Sequence, residues 1–335
     1  MVVALVADEQ GGLPLPWLAA PLAHALAAQR GHALLVHGSA GVGALQYALT
    51  LAQALLCEGA GPARPCGACG SCRLVRAHLH PDLMVLLPET LRRMHAWLLM
   101  DDKADADEAK RKPSRQIRID EVRTLIDWST KTSARGRGKV AVLHPADALN
   151  AQSANALLKT LEEPPAGTRI VLTTADPALL LPTVRSRCQW QALAAPALEL
   201  ALEWLRAQGV AQPQTLLAAC SGRPLDALAL ALDGIDADTW AALPGAVARG
   251  HASALAGWPL PRALDALHKL CHDAMACAAG GVARYFPKAP SRGQLAALTA
   301  WLGELDRVAR HDEHPWSEGL LLEALVRVGA EALAA

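Results

Sequence analysis

The sequence is poor in two of the three aromatic residues, with one Phe and two Tyr in 335 positions. Alanine and leucine are abundant instead, which favours helices and argues against an all-β fold. No charge of one sign is in excess: 32 Lys plus Arg balance 32 Asp plus Glu, for a formal net charge of zero. A chain that held nucleic acid alone would carry a basic surplus, so any such contact must be local or shared with other subunits. Nor does an apolar run reach the roughly 18 residues a membrane span needs, because His, Arg, Asp or Pro interrupts each one first. The first residues lack the basic stretch and clean apolar core of a secretory signal. Nothing argues for export, and a cytoplasmic setting is expected. The length is sufficient for two or three domains and a sizeable core.

Chemistry is also missing where its frame is present. Ala33-Leu34-Leu35-Val36 reads as a buried strand, followed by the glycine-rich His37–Leu45 and a helix through Leu56. Strand, glycine loop and helix are the setting of a P-loop, and Gly38 and Gly43 fall on the fixed glycines of G-x-x-x-x-G-K-[ST]. The pattern then requires a lysine for the β/γ-phosphates and a hydroxyl for Mg²⁺. Ala44 and Leu45 stand there. Gly38, Gly41 and Gly43 can still offer backbone N–H groups and a helix dipole. They form either a degenerate P-loop without hydrolysis, a weak inactive site, or a plain tight turn. The second half of such a site is lost too: after the strand Val140–Leu143, where an acidic pair should hold Mg²⁺, the sequence has His144-Pro145, and Asp147 comes late. Two independent losses argue for a subunit freed from catalysis.

Eight cysteines are present, and Cys57, Cys66, Cys69 and Cys72 form C-x8-C-x2-C-x2-C. In a cytosolic chain such clustering reads as a metal site. Four thiolates suit a tetrahedral structural Zn²⁺ with no position open to water. An iron–sulfur run would be C-x2-C-x2-C-x3-C-P, whereas Arg73-Leu74-Val75-Arg76 follows here; free or redox thiols are the remaining alternative. His78 and His80 either pair at a metal or belong to a loop entering the strand Leu83–Leu87. Residues 89–116 are charge-dense and expected to be a mobile insertion, whose Lys110-Arg111-Lys112 either touches phosphate or is solvated. In the basic, glycine-rich loop Thr132–Lys139, Arg135 and Arg137 either lie near DNA or are solvated.

From Val140 to Cys188 the pattern is strand, helix, strand, helix and a polar hook. Asn150 is a suitable N-cap, and Ala154, Leu157, Leu158 and Leu161 give one apolar stripe. Pro164-Pro165 stops this helix. Ile170–Thr174 is the second strand, necessarily parallel to the first. The phrases SANALLKTLEEPP and Arg185-Ser186-Arg187-Cys188 resemble the AAA+ clamp-loader family of replication, and within it the delta-prime type of bacterial DNA polymerase III subunit, which is similar in lacking a working P-loop.

That resemblance implies an α/β RecA-like AAA+ domain with a parallel sheet over residues 1–194, carrying the zinc module 57–72 as an insertion. It implies a small helical lid over 195–235 and an all-α collar over 236–335. The lid's Gly222-Arg223-Pro224-Leu225-Asp226-Ala227 has Leu225 where working modules keep an arginine, with Arg223 close by. Thr173 and Thr174 sit at the family's sensor position but are expected to be capping groups here, and Asp233–Asp236 to be a hinge. Trp240, Trp258, Trp301 and Trp316 are expected as core or interface anchors. The implied partners are the gamma/tau and delta subunits in a hetero-oligomeric ring, with the sliding clamp and primer–template DNA engaged through the assembly. Zn²⁺ would be structural and ATP not bound. The chain would not be an enzyme by itself; Arg187, with Ser186 and Cys188 around it, would reach ATP on a neighbouring subunit, the alternative being a salt bridge within the chain. A stand-alone P-loop ATPase would instead keep catalytic groups at positions 44, 45, 144 and 145, and a zinc-dependent DNA-binding module would show a basic face.

Overall fold

Four largely apolar runs and one exposed, polar edge strand that the sequence pattern did not suggest build one parallel sheet: β1 (Ala33–His37), β2 (Leu83–Leu86), β3 (Lys139–Leu143), β4 (Thr168–Thr174) and β5 (Gln189–Ala192), in the order β2-β3-β4-β1-β5. The structure, a computed structural model, describes residues 3–28, 31–61, 63–97, 113–288, 293–311 and 316–334. Burial on both faces explains why β3 and the inner part of β1 are almost wholly apolar. Register follows the pattern, with Leu35 beside Leu172 and Val142 beside Val171.

Among the described residues, the α-helices of this unit are α1 (Ala19–Ala28), α2 (Ala44–Leu56), α3 (Gly70–Arg76), α4 (Glu89–His95), α5 (Ile119–Thr130), α6 (Ala151–Glu162) and α7 (Pro182–Arg185). Asn150 caps α6 as expected, its side chain accepting from Ser153 N at 2.9 Å. Leu157 and Leu161 are fully buried, and with Val122, Leu125, Leu143 and Leu172 they form one core on that face of the sheet. Helix α5 begins at Ile119, where Glu121 accepts from Arg118 N at 2.7 Å and closes the first turn. The expected insertion also begins later than residue 89. Glu89–His95 is helical, with Glu89 paired to Arg93 and Arg92 paired to Glu121 of α5. The remainder of that segment, 98–112 with Lys110-Arg111-Lys112, lies outside the described residues.

The chain divides into two compact units, Met1–Pro196 and Ala197–Ala335. The second is helical: α8 (Leu198–Ala207), α9 (Pro213–Ala219), α10 (Pro224–Leu232), α11 (Ala237–Ala248), α12 (Leu260–Ala278), α13 (Leu295–Ala309) and α14 (Glu318–Ala334). Trp240 and Trp301 are core residues as expected, with their indole N–H groups donating to Tyr285 O and Leu325 O; Trp258 and Trp316 are half-buried. Asp233–Asp236, expected as a hinge, is a pinned turn: Asp236 accepts from Thr239 N at 2.7 Å and caps α11, and Asp233 pairs with Arg262 of α12. Asp273, on α12, is fully buried yet satisfied, accepting backbone N–H bonds from Arg284, Tyr285 and Phe286 at 2.7–2.9 Å. Arg223 is engaged locally by Cys220 O and Asp226.

Candidate functional site

The glycine loop at the end of β1 keeps its turn and has lost its vacancy. Gly38 N donates to Thr174 O, so that amide serves the sheet. Gly43 caps α2 at φ +97°, and a Cβ there would stand 2.2 Å from Leu15 Cδ1; only glycine fits. Leu15 is fully buried, and Trp17 Nε1 donates to Val42 O at 2.8 Å, so residues ahead of α1 back the loop. Leu45, at the position of the Mg²⁺-holding hydroxyl, is turned into the core at 4% exposure.

The acidic side is likewise self-contained. His144 Nδ1 lies 2.6 Å from Thr173 Oγ1, and burial takes the imidazole down to about 4, so it is neutral at physiological pH. Thr174 Oγ1 donates to Asp147 Oδ1 at 2.7 Å and accepts from Asp176 N. The two threonines therefore satisfy neighbouring groups. A hard, oxygen-seeking cation finds no free acidic pair here. Magnesium-ATP titrated into the isolated chain is expected to give neither turnover nor saturation at low micromolar concentration; saturation with turnover would overturn the silent assignment.

The cysteines converge. Cys57 ends α2 and Cys69 caps α3, its sulfur accepting from Cys72 N. The four sulfurs lie within 4.8 Å of one another, with Cys57–Cys69 and Cys66–Cys72 at 4.0 Å. Zinc–thiolate bonds of about 2.3 Å give tetrahedral sulfur–sulfur edges of about 3.8 Å, so a small contraction closes the shell. Backbone N–H groups of Glu58, Gly59, Cys66 and Cys69 point at three of the sulfurs. The Cys69 amide helps hold the Cys66 thiol down at about 6, while burial pushes the Cys57 and Cys72 thiols up. An all-sulfur, amide-supported set fits Zn²⁺.

This knuckle is moored to the sheet by pairings the sequence did not show. Arg135 donates Nε and Nη2 to the two Glu58 oxygens at 2.7 and 2.9 Å and thereby holds that carboxyl down at about 2. Asp82 accepts from Ala134 N, Arg135 N and Ser133 Oγ at 2.7–3.0 Å. Asp82 N donates to His80 Nδ1, which leaves His80 Nε2 to donate to Ser71 Oγ inside the knuckle. Arg135 is thus exposed but engaged by Glu58. His78 is stacked on Trp97 at 3.9 Å, apart from His80's partners, and the two histidines are not a metal pair.

The polar hook follows α7. Cys188 packs against the core and donates to Val184 O; Ser186 Oγ donates to Thr183 O. Arg187 is half-exposed. It donates Nε to Glu162 Oε1 at 2.6 Å and Nη1 to Thr183 O at 2.9 Å, and its Nη2 pairs with the same Glu162 oxygen. The salt bridge within the chain is therefore formed, and its carboxylate comes from the end of α6.

The family model described as DNA polymerase III, delta subunit, matches residues 18–197, more than half of the chain and nearly all of the first unit. The DNA polymerase III subunit delta' of Pseudomonas aeruginosa is 40% identical over 212 residues, 62% of this chain and 58% of the relative. That of Escherichia coli is 36% identical over 236 residues, 68% and 62% of the two chains. The DNA polymerase III subunit tau of Escherichia coli is 36% identical over 157 residues, 47% of this chain and 20% of the relative. The matches span about three fifths of the length of the delta' relatives. A solved gamma subunit-related protein of DNA polymerase III from Thermotoga maritima aligns over 95% of this chain and 99% of its own, with a TM-score of 0.47 and 14% identity. With a parallel sheet, a cysteine knuckle and the hook all inside the matched segment, the chain belongs to the DNA polymerase III delta-subunit family.

Proposed function

We propose that this chain is an ATP-silent, delta-prime-type subunit of the DNA polymerase III clamp loader, which helps to load the sliding clamp onto primer–template DNA. One observation carries the reading. On the acidic side of the frame His144 is satisfied by Thr173 and Asp147 by Thr174, Ala44 and Leu45 stand where a lysine and a hydroxyl are required, and Arg187 stands half-exposed on the hook. A guanidinium stays charged and presents a planar fork to phosphate oxygens, so Arg187, shaped by Ser186 and Cys188, acts in trans on ATP of an adjacent gamma/tau subunit. The delta subunit completes the ring. Residues 195–235 then serve as the lid and 236–335 as the collar that joins subunits. Cys57, Cys66, Cys69 and Cys72 hold one structural Zn²⁺, and the site of action is the cytoplasm.

The test is capture of the tagged full chain from native extract, with mass spectrometry of what accompanies it. Gamma/tau and delta subunits are expected in the eluate. Recovery of no replication subunit would overturn the reading.

A further inference from the structure

A concave site lies at the opposite ends of the strands from the glycine loop. The loop follows the C-terminal end of β1, whereas this cavity sits where β3 and β4 begin, beside the last turn of α2. It measures about 450 Å³, and its side walls include Leu26, Leu55, Arg64, Arg137, Lys139 and Arg169. The floor is backbone: Lys139 N donates to Gly167 O at 2.9 Å, and a Cβ on Gly138 would stand 2.3 Å from that oxygen. Only glycine lets the two strand entries close together.

The charge of this cavity is unlike the rest of the unit. Several other arginines of the unit are matched: Arg76 with Glu9, Arg92 with Glu121, Arg135 with Glu58, Arg187 with Glu162. Among the described residues, no carboxylate lines the cavity, and none lies within ion-pair distance of Arg64, Arg137 or Arg169. Lys139 turns away, donating to Trp128 O at 2.6 Å and lying over the Trp128 ring. Three arginines thus line one cleft in a chain whose formal net charge is zero. Gathering like charges around a concavity costs repulsion unless an anion offsets it. No amide, hydroxyl or aromatic side chain lines the cleft to read a base or a sugar.

We infer that this cleft binds a multiply phosphorylated anion, recognised by charge and not by sequence, through Arg64, Arg137 and Arg169. Guanidinium forks match phosphate oxygens two at a time, and the volume is that of a small-ligand site. The phosphates come either from a nucleic-acid backbone or from a free polyphosphate. The site needs no other subunit and no nucleotide chemistry, so its failure would leave the proposed role in the clamp loader untouched, and the reverse also holds.

Calorimetric titration of the full chain at low salt, without magnesium, tests it with two probes: sodium tripolyphosphate and a short oligodeoxythymidylate. Saturable binding of at least one probe is expected. Substituting Arg64→Gln, Arg137→Gln and Arg169→Gln together should weaken it by about tenfold or more, and the salt slope should flatten by about one per phosphate-contacting arginine removed. Arg137→Gln alone, on an exposed loop, gives a smaller loss in the same direction and guards against misfolding of the triple variant. Arg206→Gln, exposed in the other unit, should change nothing. Oligonucleotide binding that the triple variant loses identifies the nucleic-acid backbone as the source; tripolyphosphate binding without oligonucleotide binding identifies a free polyphosphate. No binding of either probe, or equal affinity in the triple variant, overturns the assignment.

Discussion

Arg187→Ala is expected to leave the chain folded and incorporated while sharply reducing clamp-dependent ATP hydrolysis and loading by the reconstituted complex. An arginine offered to a transferring phosphoryl group is worth about 10³–10⁵ in rate; a ring with several sites loses less in total. Arg187→Lys should rescue poorly, because an ammonium has no planar fork. The contact with Glu162 sharpens this test. While that carboxylate holds Nε and Nη2, the fork is not available to phosphate, so docking against a neighbour's ATP requires an exchange of partners. A surface ion pair of this kind contributes about 0–1 kcal/mol, small beside the stabilisation at stake. Glu162→Gln should therefore retain activity where Arg187→Ala does not. If the Ala variant hydrolyses ATP and loads clamps at the wild-type rate, Arg187 does no more than join α6 to the hook.

One equivalent of zinc should accompany the purified chain, and its removal should have the largest local structural effect of any treatment. Structural zinc sites contribute about 10–16 kcal/mol of apparent binding energy in small domains, and binding requires the thiols to lose their protons. With the ion gone, the buried Cys57 and Cys72 revert to neutral thiols and the shell loses its centre. The unit as a whole should remain folded, because the Arg135–Glu58 pair and the His80–Ser71 bond still tether the knuckle to the sheet. Chelation should thus raise protease sensitivity within Glu58–Gly70 while leaving helical circular dichroism nearly unchanged. Elemental analysis giving less than about half an equivalent of zinc, or abundant iron, would remove the assignment.

Local patterns were readable in the sequence; long-range pairings were not. Strands β1 to β4 followed from apolar runs and the start of α6 from Asn150, whereas the polar β5 gave no such signal; the missing lysine, hydroxyl and acidic pair were visible as Ala44, Leu45 and His144-Pro145. The mooring of the knuckle was hidden because Glu58 and Arg135 are 77 residues apart and only the sheet brings them together. Helix α4 was masked by its own charges, which read as an insertion until Glu89 meets Arg93 and Arg92 meets Glu121. Glu162 was visible as part of LEEPP, but its partnership with Arg187 depends on how α6 and α7 pack. Asp273 left a fainter signal, one acid within the apolar stripe of α12, whose meaning emerges only when three amides of a later loop turn toward it.

On the proposed ATP-silent reading, the way His144, Thr173 and Leu45 satisfy or fill their surroundings works against single changes toward catalysis. A single reversion toward catalysis meets a penalty before any gain. A threonine at Leu45 would empty part of a packed core, at about 2–4 kcal/mol by analogy with large-to-small changes. A carboxylate at His144 would place an unpaired charge against Thr173 in a buried setting. A lysine at Ala44 would arrive with neither the hydroxyl nor the acid that make a phosphate site work. If the proposed silent role holds, each single change toward a nucleotide site therefore either costs stability or arrives without the partners it needs.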